Sequence, residues 1–198
     1  MIAPSAITRY YFGVARWEED PVGRLQFAAM SLFLERGYSE VTVAEIAERA
    51  GLTKRTFFNH FSDKREVLFA GSKDFIESTR KHLSEANPEL SPIDAAIYAL
   101  TQSGVELEQH GEYAQARRDL IAKSTELQER DLIKMSAVTK MIADALDERG
   151  VEPKMARLTA EAVIAIFNSS YDEWIDTPGS NLGNIMQRQL EKFRAAIA

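Results

Sequence analysis

Apolar residues recur every three or four positions along most of the chain. Nowhere do they alternate with the period of two that a half-buried strand requires. The first stripe is Leu25, Ala28, Ala29, Leu32 and Phe33, opened by the helix-start pair Asp20-Pro21 and stopped by Gly37. A shorter stripe, Ile46, Ala47 and Ala50, ends at Gly51. Beyond Asp63 the pattern predicts one longer helix, with Leu68, Phe75, Ile76, Thr79 and Leu83 on one side and a break at Asn87-Pro88. Ser91-Pro92 opens the next, which carries Ile93, Ile97, Leu100 and Leu107 and ends near His110-Gly111. A short segment then holds Tyr113, Ala116 and Leu120. Thr125 and Gln128 give a capping-box pattern at the head of a helix through Met135, Val138, Met141, Ile142 and Leu146, which stops at Gly150. Pro153 begins a helix whose residues 160–167 are apolar almost all round, so burial on more than one side is expected. After the break at Thr177-Pro178-Gly179-Ser180, the residues Leu182, Ile185, Met186, Leu190, Phe193 and Ile197 share one face of a last helix. The chain reads as all-α, without internal repeats.

Residues 42–64 carry the most chemistry. Thr42 is an N-cap residue, and Glu45 three positions on completes a capping box. Gly51 accepts the left-handed backbone that ends that helix, and Thr53 caps the next. Within the second helix Phe57 and Phe61 stand four apart and can share a buried face, which leaves Lys54, Arg55, Phe58 and Asn59 on other faces. Two short helices across a glycine turn, the second with cations at its exposed start, fit the major groove of DNA. Asp63 and Glu66 give another capping box, which sets Lys64 at the positive end of a third helix, where a phosphate is welcome. Lys54 and Arg55 are the candidates for base edges, and Thr42, Thr56, Asn59, His60 and Lys64 for phosphates.

The run Ala29, Leu32, Phe33, Glu35, Gly37 and Tyr38 continues at fixed spacing through Thr42-Val43, Ile46-Ala47 and Ala50-Gly51-Leu52-Thr53. Thr56-Phe57-Phe58, His60-Phe61 and Asp63-Lys64 complete it. Across residues 25–68 this resembles the DNA-binding domain of the TetR family of bacterial transcription regulators. The resemblance implies a three-helix helix-turn-helix DNA-binding domain at 21–66, while residues 1–20, without a clean period, read as a flexible tail. A helical ligand-binding and dimerisation domain at 67–198 is implied to follow. The family holds a small molecule among its middle helices, for which Phe75, Tyr98, Tyr113, Met135 and Phe167 are the candidates here. Its last two helices form a dimer interface, which points to Val163, Ile166, Phe167, Ile185, Leu190 and Phe193. Arg117-Arg118 reads either as an attractor for an anionic ligand or as a solvated helix face. Arg9 and Arg16 offer a groove-reaching arm, beside the plainer reading of a mobile tail. Two positions depart from the family's pattern. Phe58 stands where a tyrosine commonly bonds a phosphate, and Ala44 where some members place a polar base-reading side chain. Base reading therefore leans on Lys54 and Arg55.

Composition narrows the partners. The 198 residues, 45% hydrophobic, suffice for a substantial core. A net charge of −6 argues against indiscriminate binding to nucleic acid, yet from Arg49 to Arg65 the cations Arg49, Lys54, Arg55, Lys64 and Arg65 meet Asp63 alone. There are no cysteines, which excludes disulfides and zinc-thiolate sites and suits the cytoplasm. No apolar run approaches the length of a membrane span, and the first residues lack a continuous apolar leader. His60, His82 and His110 are dispersed, and no glycine-rich phosphate loop or nucleophile elbow occurs, so no metal, cofactor or catalytic site is expected. The expectation is a ligand-responsive regulator, a repressor, binding near-palindromic double-stranded DNA as a homodimer. Two alternatives are a dimeric DNA-binding protein without a small-molecule ligand and an enzyme on an all-α scaffold.

Overall fold

The structure, a computed structural model, describes residues 20–108 and 111–197. The tail with Arg9 and Arg16, and His110, lie outside the described residues. Among those described are nine α-helices and no strand: α1 Pro21–Arg36, α2 Val43–Arg49, α3 Lys54–His60, α4 Ser72–Glu85, α5 Pro92–Glu108, α6 Gly111–Ala122, α7 Thr125–Glu148, α8 Pro153–Asp176 and α9 Leu182–Ile197. A 3-10 turn, Arg65–Phe69, separates α3 from α4.

The early helix boundaries follow from local chemistry. The Asp20 carboxylate accepts from the Val22 and Gly23 amides and starts α1. Thr42 and Glu45 close their capping box at the head of α2. At its end Gly51 sits at φ 65°, its amide bonds the Glu48 carbonyl, and the Leu52 amide bonds the Ala47 carbonyl, the paired bonds of a Schellman turn.

Two boundaries differ from expectation. The single helix expected beyond Asp63 is two elements. Asp63 does accept from the Arg65 and Glu66 amides, but Val67, Leu68 and Phe69 are all buried in succession. The chain makes a 3-10 turn here, and α4 begins only at Ser72. The Glu66 carboxylate, expected to complete a capping box with Asp63, accepts from Arg130. At α7 the cap is Ser124, whose hydroxyl accepts from the Leu127 amide, while the Gln128 side chain donates back to the Ala122 carbonyl.

The chain divides into two compact units. The first runs to Gly71 and adds Glu112–Asp131, and so is wider than residues 21–66 and discontinuous in sequence. Its core joins Leu25, Met30 and Phe33 of α1 to Ile46, Phe57, Phe61 and the 3-10 turn, and includes Ala116, Leu120 and Leu127. The second unit is Ser72–Gly111 with Leu132–Ala198. There α5 packs against α4, α8 and α9, and α8 against α9. Helix α7 therefore gives its first turns to one unit and the remainder to the other.

Candidate nucleic-acid interface

Helix α3 is held from behind and bare in front. Phe57 is fully buried and Phe61 nearly so, while Lys54, Arg55, Asn59 and His60 are exposed and Phe58 is 49% exposed. Thr53 caps the helix by accepting from the Thr56 amide, and the two threonine hydroxyls are hydrogen-bonded at 2.9 Å. That bond consumes one hydroxyl proton and leaves the other for a phosphate.

The cations beside α3 sort sharply. Arg49 grips Glu35 through both terminal nitrogens at 3.0–3.1 Å, which holds the Glu35 carboxyl below its ordinary range. Arg65 pairs with Asp63 at 2.8 Å. Arg36 bonds the Glu45 carboxylate and the Glu40 carbonyl. Among the described residues, no carboxylate pairs with Lys54 or Arg55. Lys54 makes only a loose approach to the Phe58 ring, 5.9 Å from its centroid. Unpaired positive charge is thus concentrated on the outward face of α3.

Two residues expected at phosphates have other work. The Lys64 ammonium donates to the Tyr38 and Val41 carbonyls at 2.8 and 2.9 Å and lies 4.0 Å over the Tyr38 ring. Burial there pushes its pKa down. It ties the loop between α1 and α2, and the third helix expected to open beside it does not begin there. The Thr42 hydroxyl gives its one proton to Glu45 at 2.7 Å and has none for a phosphate. The Thr42 hydroxyl and amide, with Arg36, hold the Glu45 carboxyl down at about 2.

Several supporting side chains are not legible as functional from sequence. Arg24 of α1 donates to the Ala50 and Gly51 carbonyls at the end of α2 and sets the turn from which α3 departs. Arg117 neither awaits an anion nor lies on a solvated face. It bonds the Leu68 carbonyl and Asp131, with its guanidinium 4.6 Å over Phe69. The Tyr38 hydroxyl donates to Glu126 at 3.1 Å. The partners are far apart in sequence, and no local pattern announces them.

The candidate ligand residues are not one cluster. Phe75 and Phe167 meet at 5.7 Å, and the row continues through Tyr171 and Trp174 at 5.9 and 5.6 Å. Met135 is half-buried in the same unit, but Tyr98 is 40% exposed, and Tyr113 packs on the core of the first unit. The dimer candidates need a larger correction. Val163, Ile166, Phe167, Ile185 and Leu190 are buried within the single chain, and Phe193 is half-buried. The stripe read from the sequence is the inward one. The outward apolar positions on α8 are the exposed Met155, Leu158 and Ala165 and the half-buried Ala162.

Comparison with known proteins fits this geometry. The profile for bacterial regulatory proteins of the tetR family matches residues 27–70, and that of the MftR C-terminal domain matches residues 88–198, more than half of the chain. The chain belongs to the TetR family. FasR of Mycolicibacterium smegmatis, named as an HTH-type transcriptional activator, is 28% identical over 161 residues, which cover 78% of this chain and 72% of FasR. Thermus thermophilus FadR, a repressor solved in complex with lauroyl-CoA, superposes with a TM-score of 0.55 at 22% identity over 86% of this chain and 91% of its own. SmeT of Stenotrophomonas maltophilia, solved with triclosan, gives 0.62 at 20% identity over 89% and 90%. These structural likenesses establish the TetR fold. TetR-family proteins are DNA-binding transcriptional regulators rather than enzymes. Among the described residues no helix is long and apolar enough to cross a membrane.

Proposed function

We propose that this chain is a ligand-responsive transcriptional repressor that binds a near-palindromic operator as a homodimer in the cytoplasm. The observation that carries the reading is the front of α3, where Lys54 and Arg55 are exposed without a carboxylate partner among the described residues while neighbouring cations are spent on structural bonds. Arg55 has the planar fork that matches the two acceptors of guanine, and Lys54 reaches the same groove from one residue earlier. Asn59, His60 and the spare threonine proton of the Thr53–Thr56 pair serve phosphates. The second copy docks on Met155, Leu158, Ala162 and Ala165 of α8, an apolar stripe at helical spacing that is otherwise costly to leave in water. An apolar effector in the second unit, beside Phe75 and Phe167, changes the separation of the two recognition helices away from the ~34 Å that successive major grooves demand. FadR and SmeT, solved in complex with lauroyl-CoA and triclosan, support an apolar effector. FasR, an activator by name, supports activation as the alternative sign of regulation.

Selection of bound sites from random duplexes tests the reading. The expected result is an enriched inverted repeat, bound with a log–log salt slope of about −0.9 per phosphate contact. Arg55→Ala should cost about 1–3 kcal/mol per half-site and flatten preference at one or two positions. No enriched sequence, or a parental preference unchanged in the Arg55 variant, would remove the reading or the role of Arg55 respectively.

A further inference from the structure

Phe58 is a large apolar side chain held half in water on α3, where Lys54, Arg55, Asn59 and His60 are also exposed. Two side chains border its ring. Phe57, fully buried, meets it edge-on at 5.5 Å and 81°, and the Lys54 ammonium lies beside it. On a helix the residues three and four positions earlier share a face, so Phe58 stands in line with Arg55 and Lys54. The ring has no hydroxyl and can bond neither phosphate nor base edge. An apolar partner must therefore account for it, and the major groove offers one apolar group at its edge, the 5-methyl of thymine.

We propose that Phe58 is a specificity-determining residue that reads a thymine methyl in each half-site; this rests on α3 entering the major groove. One helical turn separates the reach of Phe58 from that of Arg55, about 5 Å along the axis, against ~3.4 Å per base pair. The thymine therefore lies about one or two base pairs from the guanine that Arg55 bonds. Edge contact with Phe57 restricts the ring before binding, which limits the conformational entropy lost on contact.

The test begins with the selected duplex and replaces each thymine in turn by uracil, which removes the methyl and leaves every hydrogen bond intact. For one thymine per half-site the full-length protein should lose about fourfold in affinity, the equivalent of one methylene returned to water. Replacement in both half-sites should lose roughly fifteenfold. Phe58→Ala should bind the thymine and uracil duplexes equally, and Phe58→Leu should restore part of the difference. Unchanged thermal unfolding of both variants, expected for an exposed position, separates lost contact from lost fold. If uracil is tolerated at every position, or if Phe58→Ala keeps the parental penalty, Phe58 packs on sugar or nothing, and the proposal is overturned. If no duplex is enriched at all, the DNA-binding reading itself falls, a result distinguishable from the other two.

Discussion

The two units are built at different scales. In the first, α2 and α3 are seven residues each, too short to be stable alone or to bury much surface. They are braced by side chains bonded to the backbone of the connecting segments: Arg24 to Ala50 and Gly51, Lys64 to Tyr38 and Val41, Arg117 to Leu68. The second unit uses helices of 14 to 24 residues that lie against one another. There small residues set the spacing, with Ala95, Ala96 and Ala99 of α5 fully buried, and Gly104 and Gly183 at the contact of α5 with α9. A unit that must hold one short helix at a defined angle needs directional bonds. Long helices with apolar faces in contact can instead shift by small sliding movements along one another.

The largest expected effect tests whether the first unit depends on residues far along the chain. Leu127 of α7 is fully buried in its core, so Leu127→Ala should destabilise the protein by about 2–5 kcal/mol, measured by urea unfolding. A loss below about 1 kcal/mol would mean that the helix-turn-helix core closes without α7. Lengthwise packing in the second unit is probed by Gly183→Ala, whose new methyl would lie 2.6 Å from Cγ2 of the β-branched Thr101. It should cost about 1–3 kcal/mol, relieved when combined with Thr101→Ser. An additive double variant would sink the steric account.

Smaller effects separate tying from gripping within the first unit. Lys64→Ala leaves two carbonyls without their donor and should lower stability by about 1 kcal/mol while leaving the salt slope of DNA binding unchanged. Lys54→Ala should do the reverse, with stability kept and the slope reduced by about one unit per half-site. An equal change in salt slope for both lysines would return Lys64 to the phosphates.

The smallest effect is one of pH. Glu35, Glu45 and Asp63, all in the first unit, have carboxyls held below their ordinary range, Glu45 at about 2, by hydrogen bonds to Arg49, Thr42 and Arg65 respectively. A carboxyl depressed in the folded state contributes stability above its unfolded pKa and loses it as pH falls toward the folded value. From about pH 4.5 down to about 2, hydrogen-exchange protection in α2 should therefore fall faster than in α8. Equal loss in both helices would show that these bonds carry no net stability.

What the sequence discloses follows the same division. The caps at Asp20, Thr42 and Thr53 and the turn at Gly51 depend on residues within four positions, and each is readable. So is the buried pair Phe57 and Phe61, and with it the outward face of α3. The inward stripe of α8 is readable as apolar, but not which neighbour it meets. Val163 and Ile166 look in sequence like positions facing a partner chain, although their own subunit buries them. Periodicity gives the existence of a face, not its occupant. Lys64 misleads for a related reason, since its acceptors Tyr38 and Val41 lie more than twenty residues upstream. A cation at a predicted helix start looks the same in sequence whether it faces phosphate or its own backbone.

The division of α7 between the units also orders events on the ribosome. By the time Gly71 emerges, all three helices of the DNA-binding motif exist, yet the core that holds them still lacks Ala116, Leu120 and Leu127. At about 5–20 residues per second, several seconds pass before those side chains are available. During that interval the cluster that holds Phe33, Phe57 and Phe69 lacks part of its apolar complement, and a fragment ending at Gly71 would lack it throughout. A chain truncated at Gly71 should therefore be less stable and more readily proteolysed than the full-length protein.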